Sequence, residues 1–88
     1  MKLTRKVRIK NALGLHARPA TVIAKLLQGT LSSVSFTYRN ETVNARSIMS
    51  ILMLAATKNS LITVVVEGED ASEIMNRIVG AFEDKFGE

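Results

Sequence analysis

The stretch GLHARPATVIAKLLQG, residues 14–29, carries the chain from one periodicity to another. Within it Ala20, Ile23, Ala24 and Leu27 recur at spacings of three and four, which makes one apolar helix face. Pro19 suits a first turn, where its missing N–H costs nothing, so the helix is expected to begin at Ala17. Gly29 supplies a stop signal. Ahead of this stretch LTRKVRIK, 3–10, alternates instead. Leu3, Arg5, Val7 and Ile9 point one way; Thr4, Lys6, Arg8 and Lys10 point the other. That period of two describes a strand with one covered and one wet face, and Asn11 to Gly14 forms the loop between strand and helix.

Downstream, SVSFTY (33–38) alternates again. Arg39-Asn40-Glu41 reads as a turn, and a short return strand follows at Thr42–Asn44. SIMSILML (47–54) suits a short helix with Ser47 as N-cap. Lys58-Asn59 makes a turn, and LITVVVE (61–67) is a β-branched strand. Asp70 and Glu73 form an expected capping box. Behind them Ile74, Ile78, Phe82 and Phe86 run as a helical stripe. The order β-α-β-β-α-β-α describes one α+β domain spanning 1–88, its two long helices on one face of an antiparallel sheet. The wet face should carry Lys6, Arg8, Lys10, Ser35, Thr37, Thr63 and Val65.

Eighty-eight residues allow one modest core. The absence of cysteine excludes disulfides and thiolate metal sites and fits a reducing compartment. MKLTRKVRIK lacks the apolar core of a secretory signal, and IMSILMLAA (48–56) is too short to cross a bilayer, so the cytoplasm is the expected location. The net charge of +4 is uneven: residues 1–46 hold nine of the twelve Lys and Arg but only one of the eight acids. A basic face meets nucleic acid, an anionic ligand or an acidic protein, or is simply solvated.

The usual catalytic constellations are missing. A single histidine without thiolates builds no multi-ligand metal site, and no Gly-rich phosphate loop precedes a lysine. No acidic residue lies near His16 in sequence, which argues against general-base catalysis. His16 itself falls at the expected N-cap. There the unpaired first N–H groups and the positive end of the helix dipole favour a neutral imidazole and welcome a phosphate. Arg18 adds a guanidinium whose fork matches phosphate oxygens. A nucleophile, an anion hole and a counter-charge, with nothing evident to activate water, suit holding a phosphoryl group and passing it on. Such a histidine is otherwise an ordinary surface residue. Ser47 likewise is either a cap worth about 1 kcal/mol or a phosphorylation site. The apolar residues of 48–54 nearly encircle a short helix, so some should be exposed and serve partners.

GLHARPA, followed about thirty residues later by VNARSIM, resembles the HPr family, the histidine-containing phosphocarriers of the bacterial phosphoenolpyruvate:sugar phosphotransferase system. The resemblance covers essentially the whole chain. It implies an open-faced β-sandwich, a four-stranded antiparallel sheet covered on one face by three helices. It implies that His16 accepts a phosphoryl group on Nδ1 from enzyme I and delivers it to IIA domains of sugar permeases. Arg18 would stabilise that group. Ser47 would match the serine modified by HPr kinase/phosphorylase. The partner surface would include Ala17, Thr21, Lys25, Ile48, Met49, Leu52 and Met53. The resemblance implies a carrier with a transient phosphohistidine rather than a stand-alone enzyme; no cofactor and no metal are expected, and a monomer is the default expectation. Ser50, Ala55 and Asn59 stand where the family often has glycine.

Two other readings compete. One is a regulatory binding protein controlled through Ser47, without sugar-transport flux. The other is a nucleic-acid-binding α+β domain using Lys6, Arg8 and Lys10. The wet face offers it no aromatic platform, since Phe36 and Tyr38 alternate toward the core, so no nucleic-acid partner is expected. Direct membrane insertion is not expected either.

Overall fold

The computed structural model describes residues 1–88. The alternating run at the start becomes β1 (Lys2–Arg8), and the period-3.6 segment becomes α1 (Ala17–Leu26). The hairpin is β2 (Ser33–Tyr38) and β3 (Glu41–Asn44), followed by α2 (Ile48–Met53), β4 (Leu61–Glu67) and α3 (Ala71–Glu83). A 3₁₀ turn at Lys85–Gly87 closes the chain. The four strands form one sheet in the order β1-β4-β2-β3, every neighbouring pair antiparallel. Three helices cover one face of that open sheet, as the α+β pattern requires.

The register explains the core. Val34 and Phe36 on β2 and Ile62, Val64 and Val66 on β4 share the covered face, each at most 3 % exposed. Ile23 and Leu27 of α1, Ile51 of α2 and Ile74, Met75, Ile78 and Phe82 of α3 close over them. Phe82 sits edge-on to Phe36 with ring centroids 5.8 Å apart, and to Phe86 at 4.8 Å. Such pairs contribute roughly 0.5–1.5 kcal/mol each beyond the area they bury. Arg5 belongs to the inner row by alternation, yet it is exposed because β1 is an edge strand. On the outer face Lys6, Thr63, Thr37 and Thr42 fall in one row across all four strands.

Several boundaries differ from the sequence expectations. β1 ends at Arg8, not Lys10. Glu41 is a strand residue paired with Tyr38, which leaves a two-residue turn at Arg39 and Asn40, both at positive φ. That is the hairpin geometry whose twist matches the flanking strands. The expected capping box at α3 does not form. Asp70 is the N-cap, but its side chain accepts no bond from its own helix. Its carboxylate instead accepts from Ser32 Oγ, Thr30 Oγ1 at 2.8 Å and Leu31 N at 3.2 Å. Glu73 pairs with Arg77, 2.6 Å away, along the exposed side of α3. Three donors from one loop outcompete a single backbone N–H for the same carboxylate. Finally, Phe86 leaves the helix that its stripe implied. The chain turns left-handed at Lys85 (φ 54°) and Phe86 (φ 56°), a conformation costing roughly 1–2 kcal/mol per non-glycine residue, and burial of the Phe86 ring offsets it.

Candidate functional site

The loop from Ile9 to His16 is held at both ends. Ile9 exchanges backbone bonds with the 59–60 turn: its N–H donates to Ser60 O (2.9 Å) and its carbonyl accepts from Asn59 N (2.7 Å). Leu15 N donates to Ala56 O at 3.0 Å, and the Leu15 side chain is buried. Between them Asn11 Nδ2 donates to Gly14 O at 2.7 Å. Gly14 has φ +68°, and a Cβ there would collide with the Ala56 carbonyl oxygen and lie 2.9 Å from Thr57 Cα. This glycine therefore serves both the left-handed turn and the close approach of two backbones.

So anchored, the chain enters α1 with His16 as N-cap in extended geometry (φ −84°, ψ −169°). Its carbonyl accepts from Ala20 N at 3.1 Å, while its ring makes no capping bond. The N–H groups of Ala17 and Arg18 take no partner, and Pro19 has none to offer. Two orphan donors and the positive dipole end thus lie beside a ring that is 31 % exposed. Arg18 is exposed next to it.

The two ring nitrogens differ. Nε2 is buried and has no aligned hydrogen bond, yet a carboxylate oxygen of Glu88, Oε2, lies 2.8 Å away. The pair is close but off the N–H direction. The other oxygen, Oε1, accepts from Asn11 Nδ2 at 3.0 Å. Nδ1 is neither buried nor bonded, so it is the nitrogen open to a reactant. An acidic group does therefore stand beside His16. Sequence proximity could not reveal it, because Glu88 arrives from the far end of the chain. Asn11 was equally invisible as anything but a loop residue.

The structure places the remaining expected residues around this point. Ala17, Thr21 and Lys25 follow one another at four-residue spacing along α1, and Thr21 Oγ1 donates back to Ala17 O at 2.9 Å. α2 packs beside α1. Met49 and Met53 are 69 % and 73 % exposed, Ile48 is at the margin, and Leu52 is half-buried. Leu13, in the loop before His16, is 74 % exposed and was not singled out from sequence; a leucine in an otherwise small-residue loop was its signal. Ser47 caps α2, its Oγ accepting from Ser50 N at 3.2 Å. Lys10, Lys58 and Lys85 line a shallow cleft with Asn11 and Glu88, so that carboxylate is set among cations. No group of three or more His, Cys, Asp or Glu side chains is placed to hold a metal. Asp70, at the opposite end of α1, is the acid whose pKa departs from its ordinary value. The hydrogen bonds from Ser32 and then Thr30 hold it down.

Comparison with known proteins identifies the family and the fold. The family model described as the PTS HPr component phosphorylation site matches residues 3–84. The phosphocarrier protein HPr of Chlamydia muridarum is 49 % identical over 80 residues, 91 % of this chain and 77 % of that protein. The phosphocarrier protein HPr of Chlamydia pneumoniae is 48 % identical over 80 residues, 91 % and 74 % of the two chains. The crystal structure of HPr-C-His from Thermoanaerobacter tengcongensis superposes with a TM-score of 0.93 at 35 % identity, covering 98 % of this chain and 97 % of that one.

Proposed function

The chain belongs to the HPr family of phosphocarriers of the phosphotransferase system, and from that premise we propose that His16 is its phosphoryl acceptor. The observation that carries this reading is the asymmetry of the ring. Nε2 is buried against Glu88, and Nδ1 is open at the head of a helix with two free N–H groups. The Nδ1 lone pair attacks phosphorus on phospho-enzyme I. The donor P–N bond breaks as the new one forms, and the donor imidazole leaves with the bonding electron pair. Arg18 and the Ala17 and Arg18 N–H groups hold the phosphoryl oxygens, which carry the negative charge through the transition state. The reverse geometry serves delivery to a IIA domain.

The exposed apolar residues Leu13, Ile48, Met49 and Met53, with Ala17, Thr21, Lys25 and Leu52, form the surface both partners would use in turn. A Met-rich patch repacks against different partners at little cost. No helix is long and apolar enough to cross a membrane. Exchange with enzyme I places the carrier's work in the cytoplasm, as a monomer that docks with one partner at a time.

Ser47 is the proposed second site, modified by HPr kinase/phosphorylase. Its hydroxyl sits at the start of α2, directly before Ile48 and Met49, so a phosphate there would put about two negative charges on the edge of the docking patch.

The test of the main reading is intact mass after incubation with phosphoenolpyruvate and enzyme I. The expected result is a gain of one phosphoryl group, lost in acid, kept in base and absent in His16→Ala. A wild-type protein that gains nothing from a demonstrably active enzyme I would overturn it.

A further inference from the structure

One edge of the sheet is open along the whole length of its strand. β1 has a neighbour, β4, on one side only. Met1 O accepts from Gly68 N and Ile9 N donates to Ser60 O, both at 2.9 Å, so the odd-numbered residues turn their backbone groups toward β4. In an antiparallel ladder the residues between them turn theirs the other way. The N–H and C=O groups of Lys2, Thr4, Lys6 and Arg8 therefore line the free edge, and all four residues are exposed. β3, at the far edge, has four residues against the seven of β1. An unpaired strand of that length is a template for another strand.

Its charge selects which strand. Lys2, Arg5, Lys6, Arg8 and Lys10 are all exposed, and no acid interrupts them. Neither ion pair of the chain reaches them, although Glu67 stands opposite Lys2 in the register. Arg8 is the one engaged, its Nη1 donating to Asn59 O at 2.6 Å. The β1 of a second copy would bring like charges together. The chain's own acid-rich run, 67–73, is already a strand end and a helix start. Beside the same edge, between β1 and α3, lies a cleft with Val7, Val79 and Phe82 in its wall. Lys6, Arg8 and Lys10 flank it, and Glu83 is its one acid. Side chains of an added strand would alternate between these two surroundings: the cations of the wet face, and the apolar cleft on the covered face.

We propose that the free edge of β1 accepts an extended acidic segment of another protein, one that alternates acidic and apolar side chains, as an added strand. Backbone bonds to Lys2, Thr4, Lys6 and Arg8 hold it, and alternate side chains give selectivity. Its acids lie over Lys2, Lys6 and Arg8, and its apolar residues enter the cleft at Val7, Val79 and Phe82. Glu83 repels acids from that cleft and so fixes which face of the segment turns inward. This surface is separate from the patch around His16. α3 packs beside β1, whereas α2 packs beside β3 at the opposite edge. The proposal therefore stands whether or not His16 carries a phosphoryl group.

A titration of the isotope-labelled full chain tests it. The probe is a blocked seven-residue peptide, the length of β1, alternating glutamate and valine. Amide shifts are expected in β1 and at Val79, with slowed hydrogen exchange at the Thr4, Lys6 and Arg8 amides and weaker binding as salt rises. A peptide with the same side chains but N-methylated valines cannot pair along the edge and should bind more weakly. Lys6→Glu, an exposed change outside the His16 site, should weaken binding about fivefold. Absence of shifts at millimolar peptide, or equal binding of the N-methylated peptide, would overturn the proposal. So would an oligonucleotide of equal charge that binds β1 as tightly, since the edge would then be a general polyanion site. Slowed exchange at the same amides without peptide, growing with protein concentration, would assign the edge to a second copy instead.

Discussion

At the residue scale, two positions set the terms. Gly14 lets two backbones meet where a Cβ would strike the Ala56 carbonyl. Gly14→Ala combines a left-handed alanine with that collision, and should destabilise the protein by about 3 kcal/mol, read as a lower denaturant midpoint. Asp70 is the second case. Hydrogen bonds from Ser32, Thr30 and the Leu31 N–H favour its ionised form and hold its folded-state pKa below the ordinary carboxylate value. The unfolded chain therefore takes up the proton first as pH falls. The stability from this group is whole above the ordinary carboxylate pKa and is lost as pH drops through the lowered value. Chemical denaturation between pH 5 and 2 should show that loss, and Asp70→Asn should flatten this part of the profile while leaving a less stable protein at pH 7. Equal pH slopes for the two proteins would show that the Ser32–Thr30–Asp70 cluster does not titrate with folding.

At the scale of single elements, α2 is the least secured helix. It has six residues, one fully buried side chain and no charged residue to favour its dipole. Its start is held by Ser47, so Ser47→Ala should cost about 1 kcal/mol while leaving phosphorylation of His16 intact. Its end is held poorly. Leu54 is the C-cap, and the next residue, Ala55, takes φ +50° where helices usually place glycine. Left-handed alanine costs roughly 1–2 kcal/mol, and glycine returns about 0.5–1 kcal/mol of that to the unfolded chain's entropy. Ala55→Gly should therefore stabilise by about 0.5 kcal/mol, visible as a small rise in Tm; a fall would mean that the turn relaxes to accept alanine. α1 contrasts with α2: three buried residues and a rigid entry loop fix it, which suits a helix whose N-terminus presents the reactive ring.

At the scale of the molecule, one core of 21 buried residues joins sheet and helices. Phe82 is central to it, touching Phe36 of the sheet and Phe86 of the closing turn. Phe82→Ala should cost about 3–5 kcal/mol, a large part of the ~4–13 kcal/mol expected for a chain of this length. Thermal unfolding should shift by tens of degrees, and the ring environment of His16 should change with it, because Phe86 would lose its support and release Glu88. A shifted Tm with unaltered His16 ring resonances would show that the closing turn holds without Phe82.

The order of elements was legible from period alone. Alternation marked β1 and β2, and a β-branched run marked β4; three-four spacing marked α1 and α3; Pro19 marked the helix start that makes His16 an N-cap. These are local rules, carried by neighbours in sequence, and so were GLHARPA and the Arg18 beside it. Composition and spacing also determined that no thiolate and no multi-histidine metal site exists. Tertiary structure alone decided what faces what. Asp70 read as a cap because its partners Ser32 and Thr30 are some forty positions away. Phe86 read as helix because periodicity records which side a residue faces, not whether the backbone has turned left-handed. The carboxylate beside His16 was hidden for the same reason: Glu88 and the ring are 72 positions apart, and only the packing of Phe86 on Phe82 closes that distance.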